Sequence, residues 1–163
     1  MEKFNNMIIF VGGPLGSGKS TVAKILKKRI RHAAIVEPDA IRKFFADIPL
    51  DKAIPIVLKL TVLVVKGLAK EGFNVIIPYP LSGRNYRFIR AHLRGEKLHF
   101  FILSPCMEAI GDGRGKRKLD HWEKQRIRHH YKINLHNPPF GIKIDNTKQK
   151  PGKTASTILA LIE

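Results

Sequence analysis

A glycine-rich stretch at residues 13–20 carries the clearest chemistry in the sequence. It reads GPLGSGKS, follows the apolar run MIIFV and is followed by Thr21. Glycines allow successive main-chain N–H groups to curl around a phosphate, whose charge a lysine can neutralise. The spacing G-x-x-x-x-G-K-[ST] between a predicted strand and a predicted helix is typical of nucleotide-phosphate binding. A glycine-rich turn that binds nothing is the alternative interpretation.

The residues of this stretch take distinct roles at a triphosphate. We expect Lys19 to bridge the β- and γ-phosphates and Ser20 to ligate Mg²⁺. Ser17 and Thr21 are expected to add contacts to phosphate. The predicted nucleotide-binding set is Gly13, Pro14, Leu15, Gly16, Ser17, Gly18, Lys19, Ser20 and Thr21.

A second polar segment, EPDAIR at residues 37–42, follows the second predicted strand. The carboxyl ends of strands line the binding crevice of an open α/β sheet. Asp39 can take the proton of an acceptor hydroxyl there, and Arg42 can hold an anionic group or Asp39 itself. Asp39 is also a good helix cap, and the two interpretations are compatible.

A basic segment follows the third predicted strand. Four arginines share one face of the helix predicted at residues 84–94: Arg84, Arg87, Arg90 and Arg94. Because these charges repel one another, an anion lying across them would be stabilising. We expect Arg84 and Arg87, nearest the strand end, to reach a substrate phosphate, and Tyr79 and Tyr86 to stack on a ring. An exposed basic helix is the alternative, favoured for Arg90 and Arg94.

Apolar runs alternate with helical periodicity along the whole chain. Strands are predicted at 7–11, 33–37, 73–77, 98–103 and 141–145. Helices are predicted at 19–31, 39–44, 51–71, 84–94, 119–135 and 151–161. This alternation predicts an α/β fold with a parallel sheet covered on both faces, and 163 residues favour one domain over 1–163.

The segments GGPLGSGKST, EPDAIR, GRGKR and WEKQRI together resemble the small P-loop kinases. That set includes chloramphenicol phosphotransferases, zeta-toxin-like kinases, polynucleotide 5′-hydroxyl kinases and nucleoside monophosphate kinases. The resemblance implies a three-layer α/β/α P-loop NTPase fold with a five-stranded parallel sheet in the order 2-3-1-4-5. It also implies ATP and Mg²⁺ as cofactors, Asp39 as the acceptor-side base and Arg42 as a substrate contact. Asn146 and Thr147 would lie beside the adenine.

The same resemblance implies a short mobile lid at about residues 107–120. Kinases of this kind close an arginine-bearing segment over the triphosphate, which neutralises developing charge and excludes water. Arg114 and Arg117 suit that catalytic role, with Arg126 and Arg128 as further candidates. A solvated basic loop is the alternative.

One position departs from the pattern of many P-loop kinases. The third predicted strand ends in Pro78, Tyr79 and Pro80, where a carboxylate often supports the metal or the acceptor. Magnesium would then rest on Ser20, water and Asp39. This departure argues against a typical hydrolytic ATPase, but phosphoryl transfer depends mainly on positioning and charge stabilisation.

The overall composition limits the classes of partner. Thirty Lys and Arg against 13 Asp and Glu give a net charge of +17, which favours phosphates and keeps nucleic acid open as a partner. A single cysteine excludes an internal disulfide framework, and no segment is suited to a membrane span or a secretory signal. We therefore expect a cytoplasmic protein. Four histidines are predicted to be solvated on helices and not to bind zinc: His121, His129, His130 and His136.

Three functions remain after these considerations. The first is an ATP-dependent phosphotransferase that acts on a hydroxyl of a small, anionic or nucleoside-like acceptor. The second is a polynucleotide 5′-hydroxyl kinase, whose binding would weaken steeply with salt. The third is a nucleotide-gated binding protein that transfers no phosphate.

Overall fold

The computed structural model describes residues 6–111 and 118–162. Its strands are β1 (Met7–Gly12), β2 (Ala33–Ile35), β3 (Asn74–Pro78), β4 (Lys97–Leu103) and β5 (Ile142–Ile144). Its helices are α1 (Lys19–Arg29), α2 (Pro38–Arg42), α3 (Leu50–Lys70), α4 (Gly83–His92), α5 (Met107–Gly111), α6 (His121–Lys132) and α7 (Pro151–Ile162). Lys43–Phe45 form a 3₁₀ turn after α2.

The five strands form one parallel sheet in the order β2-β3-β1-β4-β5, which confirms the predicted topology. Strand β1 lies at the centre and pairs with β3 on one side and β4 on the other. The outer strands β2 and β5 are only three residues long, shorter than predicted. All five strands end at the same edge of the sheet, because parallel strands run in one direction.

Alternate side chains of β1 point to opposite faces of the sheet and enter two separate cores. Ile8 and Phe10 pack in the core beneath α3 and α4. Ile9 and Val11 pack in the core beneath α1 and α7. The result is the predicted arrangement of a sheet between two layers of helices.

Two helix boundaries fix the parts of the chain that carry the candidate chemistry. Helix α1 begins at Lys19, directly after the left-handed Gly18, so the lysine and Ser20 occupy its first turn. Helix α6 begins with a capping box, in which the Asp120 carboxylate accepts the N–H of Glu123 and Glu123 accepts that of Asp120. Within the described ranges, none of the helices has the length and apolarity of a membrane span.

Candidate active site

The glycine-rich loop connects the end of β1 to the start of α1. Gly13 has a φ of 126°, and a Cβ there would lie 2.5 Å from the main-chain oxygen of Leu103. Gly16 has a φ of 78°, and its Cβ would lie 2.6 Å from Ile110 Cγ2. Other residues would be strained or obstructed at both positions, so glycine is required by conformation and by space.

Lys19 lies over this loop, half-buried. Its Nζ donates to the carbonyl oxygen of Pro14 at 2.6 Å. Burial lowers the pKa of Lys19 to about 8, and the negative charge of Asp39 opposes this shift. A phosphate in the loop would replace the carbonyl as partner and favour the charged amine.

The hydroxyl residues of the loop divide into two kinds. Ser17 is fully buried, and its Oγ has no hydrogen-bond partner among the described residues. Ser20 and Thr21 are exposed and line a cleft beside the loop. The Ser20 hydroxyl is therefore accessible to the metal ion that it is predicted to bind. The Ser17 hydroxyl instead faces into the loop at Gly13.

The loop after β5 supports the glycine-rich loop directly. Asn146 is buried, and its Nδ2 donates to the carbonyl oxygen of Ser17 at 2.9 Å. Thr147 donates its hydroxyl to Asp145 Oδ1 at 2.6 Å and accepts the N–H of Cys106. Both residues line the same cleft as Ser20, where their contact with an adenine remains a prediction.

We name this depression of about 770 Å³ the P-loop cleft. It runs along the glycine-rich loop, the first turn of α1 and the loop after β5. Asp39 is the one carboxylate among its described lining residues. The lining comprises residues 15–22, Asp39, Pro78, Pro80, His130 and residues 146–151.

Asp39 occupies the first turn of α2, within electrostatic reach of Lys19 and Arg126. It is not the helix cap that the sequence suggested, because α2 begins at Pro38 and Glu37 occupies the cap position without a side-chain bond. Partial desolvation by the cleft walls raises the pKa of Asp39, and Lys19 opposes this rise. The carboxylate is exposed and therefore accessible to a ligand.

The structure places Arg42 away from the cleft. Its guanidinium donates to the main-chain carbonyls of Phe45, Ala46 and Ile48 and lies over the Phe45 ring at 5.8 Å. These bonds hold the turn after α2 together. Arg42 contacts neither Asp39 nor the described lining of the P-loop cleft, so its predicted substrate contact finds no support in the geometry.

A second depression of about 680 Å³, the side cleft, adjoins the P-loop cleft. It lies between α3, the start of α4 and α6, and it shares Pro80 and His130 with the P-loop cleft. Its polar lining residues are Asp51, Tyr79, Ser82, Arg84, Asn85, Arg126, His129 and His130. Its apolar wall is Leu50, Ile54, Pro55, Leu58, Phe88, Ile133 and Leu135.

The predicted substrate residues separate around α4. Tyr79 and Arg84 line the side cleft, but Arg87 lines a different groove on the other side of the helix. Tyr79 is only 7% exposed, and burial together with Asp39 raises its pKa to about 12. The ring of Tyr86 is stacked on the ring of Phe140 with their centroids 3.9 Å apart, so one face of Tyr86 is covered. The prediction that Tyr86 stacks on a ligand ring is therefore wrong for this covered face.

The environment predicted for His130 was wrong. This histidine was expected to be solvated, but it is only 3% exposed, and its Nδ1 accepts the main-chain N–H of Leu15 at 2.9 Å. Burial, with help from the nearby charges of Arg126 and Lys19, lowers its pKa to about 4. The imidazole is therefore neutral at neutral pH, and it ties α6 to the glycine-rich loop.

The lid predicted at about residues 107–120 falls partly outside the described residues, which omit 112–117 and include α5 at its start. Arg114 and Arg117 both lie within 112–117, so the structure says nothing of them. Arg126 lies in the side cleft and acts electrostatically on Asp39, Tyr79 and His130. Arg128 is exposed and lines neither cleft among the described surfaces. Arg126 is thus the described arginine of α6 nearest the candidate chemistry.

The oxygen groups of the P-loop cleft fit a magnesium ion. Strand β3 ends in Pro78, as the sequence indicated, so no carboxylate stands at that tip. The Ser20 hydroxyl and the exposed Asp39 carboxylate line the cleft together, and both are the hard oxygen ligands that Mg²⁺ prefers. The described residues contain no cluster of three or more His, Cys, Asp or Glu side chains that could hold a metal unaided.

Comparison with known structures reveals extensive fold similarity at low sequence identity. The tunicamycin resistance protein of Deinococcus radiodurans has a TM-score of 0.73 and 21% identity, over 96% of this chain and 95% of that one. A sugar kinase from a Janibacter species gives 0.74 and 22%, over 96% and 94%. The Mycobacterium tuberculosis APS kinase, solved with AMPPNP and APS, gives 0.73 and 16%, over 96% and 97%.

The chain has the fold of the P-loop kinases. The match covers nearly the full length of each chain, including the sheet order and the helices on both faces. No protein-family model matches the chain. No curated protein sequence matches it either. This similarity shows the fold, and an activity must be argued from the residues of this chain.

Proposed function

We propose that the protein is a kinase that transfers the γ-phosphate of ATP to a hydroxyl of a small, anionic acceptor. The observation that carries this proposal is that the P-loop cleft and the side cleft adjoin, and that Asp39 interacts electrostatically with a cation of each cleft. Asp39 lines the P-loop cleft and acts electrostatically on Lys19 there and on Arg126 in the side cleft. A nucleotide in the P-loop cleft and an acceptor in the side cleft would meet beside this carboxylate.

The residues of the P-loop cleft suit the phosphate donor. The loop amides and Lys19 would hold the β- and γ-phosphates, and Asn146 keeps the loop in its curved form through Ser17. Ser20, with Asp39, would hold Mg²⁺, which neutralises phosphate charge when bound. Asn146 and Thr147 would contact the adenine, largely through their main chain.

The residues of the side cleft support the proposal of an anionic acceptor. Arg84 and Arg126 provide positive charge, and Ser82 and Asn85 provide hydrogen-bonding groups. Leu50, Ile54 and Phe88 belong to the apolar wall. An acceptor with a negatively charged group and a ring or other apolar part would satisfy both kinds of surface.

Asp39 would act as the general base of the transfer. Its carboxylate accepts the proton of the acceptor hydroxyl while that oxygen forms a bond to the γ-phosphorus. The bond from the γ-phosphorus to the β–γ bridging oxygen breaks, and ADP leaves with that electron pair. Lys19 from the P-loop cleft and Arg126 from the side cleft would stabilise the charge on the transferred group. Arg114 and Arg117 remain proposed as further lid cations.

The decisive experiment is a transfer screen with γ-labelled ATP. Acceptors include nucleosides, sugars, aminoglycoside- and phenicol-like drugs and 5′-hydroxyl oligonucleotides. With the best acceptor, Asp39→Asn should lower kcat by a factor of about 10² to 10⁴ and weaken Mg²⁺-dependent ATP binding by a much smaller factor, because Asn can still offer an oxygen to the metal. Full activity of Asp39→Asn would overturn the mechanism, and failure of every acceptor would favour a nucleotide-gated binding protein.

A charge-matched pair of variants tests the acceptor side. Arg126→Gln should lower kcat/KM for an anionic acceptor by about tenfold or more, since it removes a charged contact of the side cleft. Lys124→Gln removes one positive charge from the exposed side of the same helix and should change little. Equal losses in both variants would show that only the net charge matters.

A further inference from the structure

A third depression lies on the opposite side of α4 from the side cleft. This arginine groove, of about 800 Å³, is bounded by α4, the first half of β4 and the start of β5. It shares no lining residue with the P-loop cleft or the side cleft. It is therefore separate from the candidate active site.

Positive charge lines the groove in a regular row. Arg87 and Arg90 lie on α4, and Arg94 follows its end. Of the described residues lining the groove, Glu96 alone is acidic. Arg90 donates to the Tyr86 hydroxyl at 3.2 Å, but no carboxylate pairs with the row among the contacts of the described chain. Three repelling cations along a helix are costly unless an anion lies across them.

The floor of the groove is apolar and only partly covered. Leu98 and Phe100 are partly exposed in it, Leu93 is buried beneath, and Ile142 is 45% exposed at its edge. Strand β5 pairs with β4 only from Phe101 onward, so residues 97–100 pair with β1 on one side and have no described strand on the other. The short β5 thus leaves room for a ligand between the arginines and the sheet.

The spacing of the row matches a repeating polyanion. The five helical steps from Arg87 to the end of α4 advance about 7.5 Å, and Arg94 lies two residues further along the turn, so the row spans roughly 10 Å. A stacked single strand with the duplex-like rise of about 3.4 Å per phosphate would place about three phosphates along the row, and a more extended strand would place fewer. The apolar floor offers a surface for bases, and the net charge of +17 adds long-range attraction.

We propose that the arginine groove binds the sugar–phosphate backbone of single-stranded nucleic acid. The inference rests on the row of arginines and the open floor, and it holds whatever acceptor occupies the side cleft. Arg87, which was expected to bind the substrate of the active site, belongs to this second surface.

The test compares two charge-matched triple variants. One replaces Arg87, Arg90 and Arg94 by Gln, and the other replaces Lys24, Lys27 and Lys28, which are exposed on α1. Binding of fluorescent single-stranded RNA and DNA oligonucleotides is measured by anisotropy over a salt series without ATP. The variant with the three groove arginines replaced should bind about tenfold more weakly or worse. Its plot of log affinity against log salt concentration should have a slope smaller in magnitude by about 2. The variant with the three α1 lysines replaced should keep most of the affinity and most of the salt dependence.

Two outcomes would overturn the proposal. Equal losses in the two triples would show that binding follows net charge and not the groove. Competition by polyglutamate as effective as by an unlabelled oligonucleotide of equal charge would assign the groove to acidic peptides. Thermal melting checks that both triple variants fold. If a triple variant is unfolded, the single variant Arg94→Gln, at the end of the row, replaces it and should show about a third of the change in salt slope.

Discussion

The hydrogen bond between His130 and Leu15 offers a sharp test of how the P-loop is positioned. In His130→Ala the Leu15 N–H loses its acceptor, and a ring that is 97% buried leaves a cavity. A lost hydrogen bond costs about 1 kcal/mol, and truncation of a buried ring costs about 2–3 kcal/mol more. We expect the free energy of unfolding to fall by about 3 kcal/mol in urea denaturation.

The asparagine variant separates the hydrogen bond from packing. Asn carries a carbonyl oxygen near the place of the imidazole Nδ1, so His130→Asn can still accept the Leu15 N–H. We expect ATP affinity, measured by calorimetry, to fall about tenfold in His130→Ala and to recover mostly in His130→Asn. His121→Ala, at an exposed position of the same helix, should change neither affinity nor stability appreciably. Equal loss of affinity in the Asn and Ala variants would refute the proposed role of Nδ1.

Acid stability provides an independent measure of the same residue. The pKa of His130 falls from 6.5 to about 4 in the folded protein because of burial, Arg126, Lys19 and His129. Between these values the unfolded chain binds more protons, so the free energy of unfolding decreases as the pH falls through this window. The contribution approaches about 3 kcal/mol by pH 4. His130→Asn lacks this titration and should lose correspondingly less stability between neutral pH and pH 4.

Two further predictions concern the loop itself. Because the pKa of Lys19 is about 8 and a phosphate would raise it, ATP binding above that pH takes up a proton. Affinity measured by calorimetry should therefore decline as the pH rises through 8, whereas Lys19→Arg should show no such decline. Gly13→Ala, with its Cβ 2.5 Å from the Leu103 carbonyl, should lower stability by about 2 kcal/mol and weaken ATP binding. Gly67→Ala, in open space within α3, should raise stability by about 0.5–1 kcal/mol in the same urea assay, and the reverse order would refute the steric argument.

The fold could be predicted because local patterns and global topology agree. Short apolar runs ended by glycine or proline became strands, and the helical periods between them became the covering layers. The sheet order followed from the resemblance carried by the glycine-rich loop. The edge strands β2 and β5 are shorter than predicted, because each pairs with one neighbour over only three residues.

The site was less predictable where long, flexible side chains can reach several alternative hydrogen-bond partners. The sequence places Arg42 near Asp39, but its guanidinium reaches three carbonyls of the following turn instead. His130 and His129 are adjacent, yet only His130 faces the glycine-rich loop and is buried. The phase of α6 could have indicated this, since Ile127 and His130 fall three residues apart on one face and both are buried. No comparable signal distinguishes Arg84 from Arg87, whose separation depends on how α4 packs against β4.

The missing carboxylate at Pro78 has a consistent explanation in the sheet. Val11 of β1 is paired with Pro78, so the tip of β3 lies directly beside the start of the glycine-rich loop. A carboxylate at that tip would stand next to Lys19 and add a second negative charge to the cleft near Asp39, raising the pKa of Asp39 further. With Pro78 and Pro80 there instead, Asp39 reaches the same cleft from beyond β2 and remains its one described carboxylate. We therefore expect Asp39 both to face the metal and to accept the proton. Pro78→Asp should lower kcat at neutral pH, because the added charge would raise the pKa of Asp39 and leave less of it ionised. A higher kcat in Pro78→Asp would contradict this explanation.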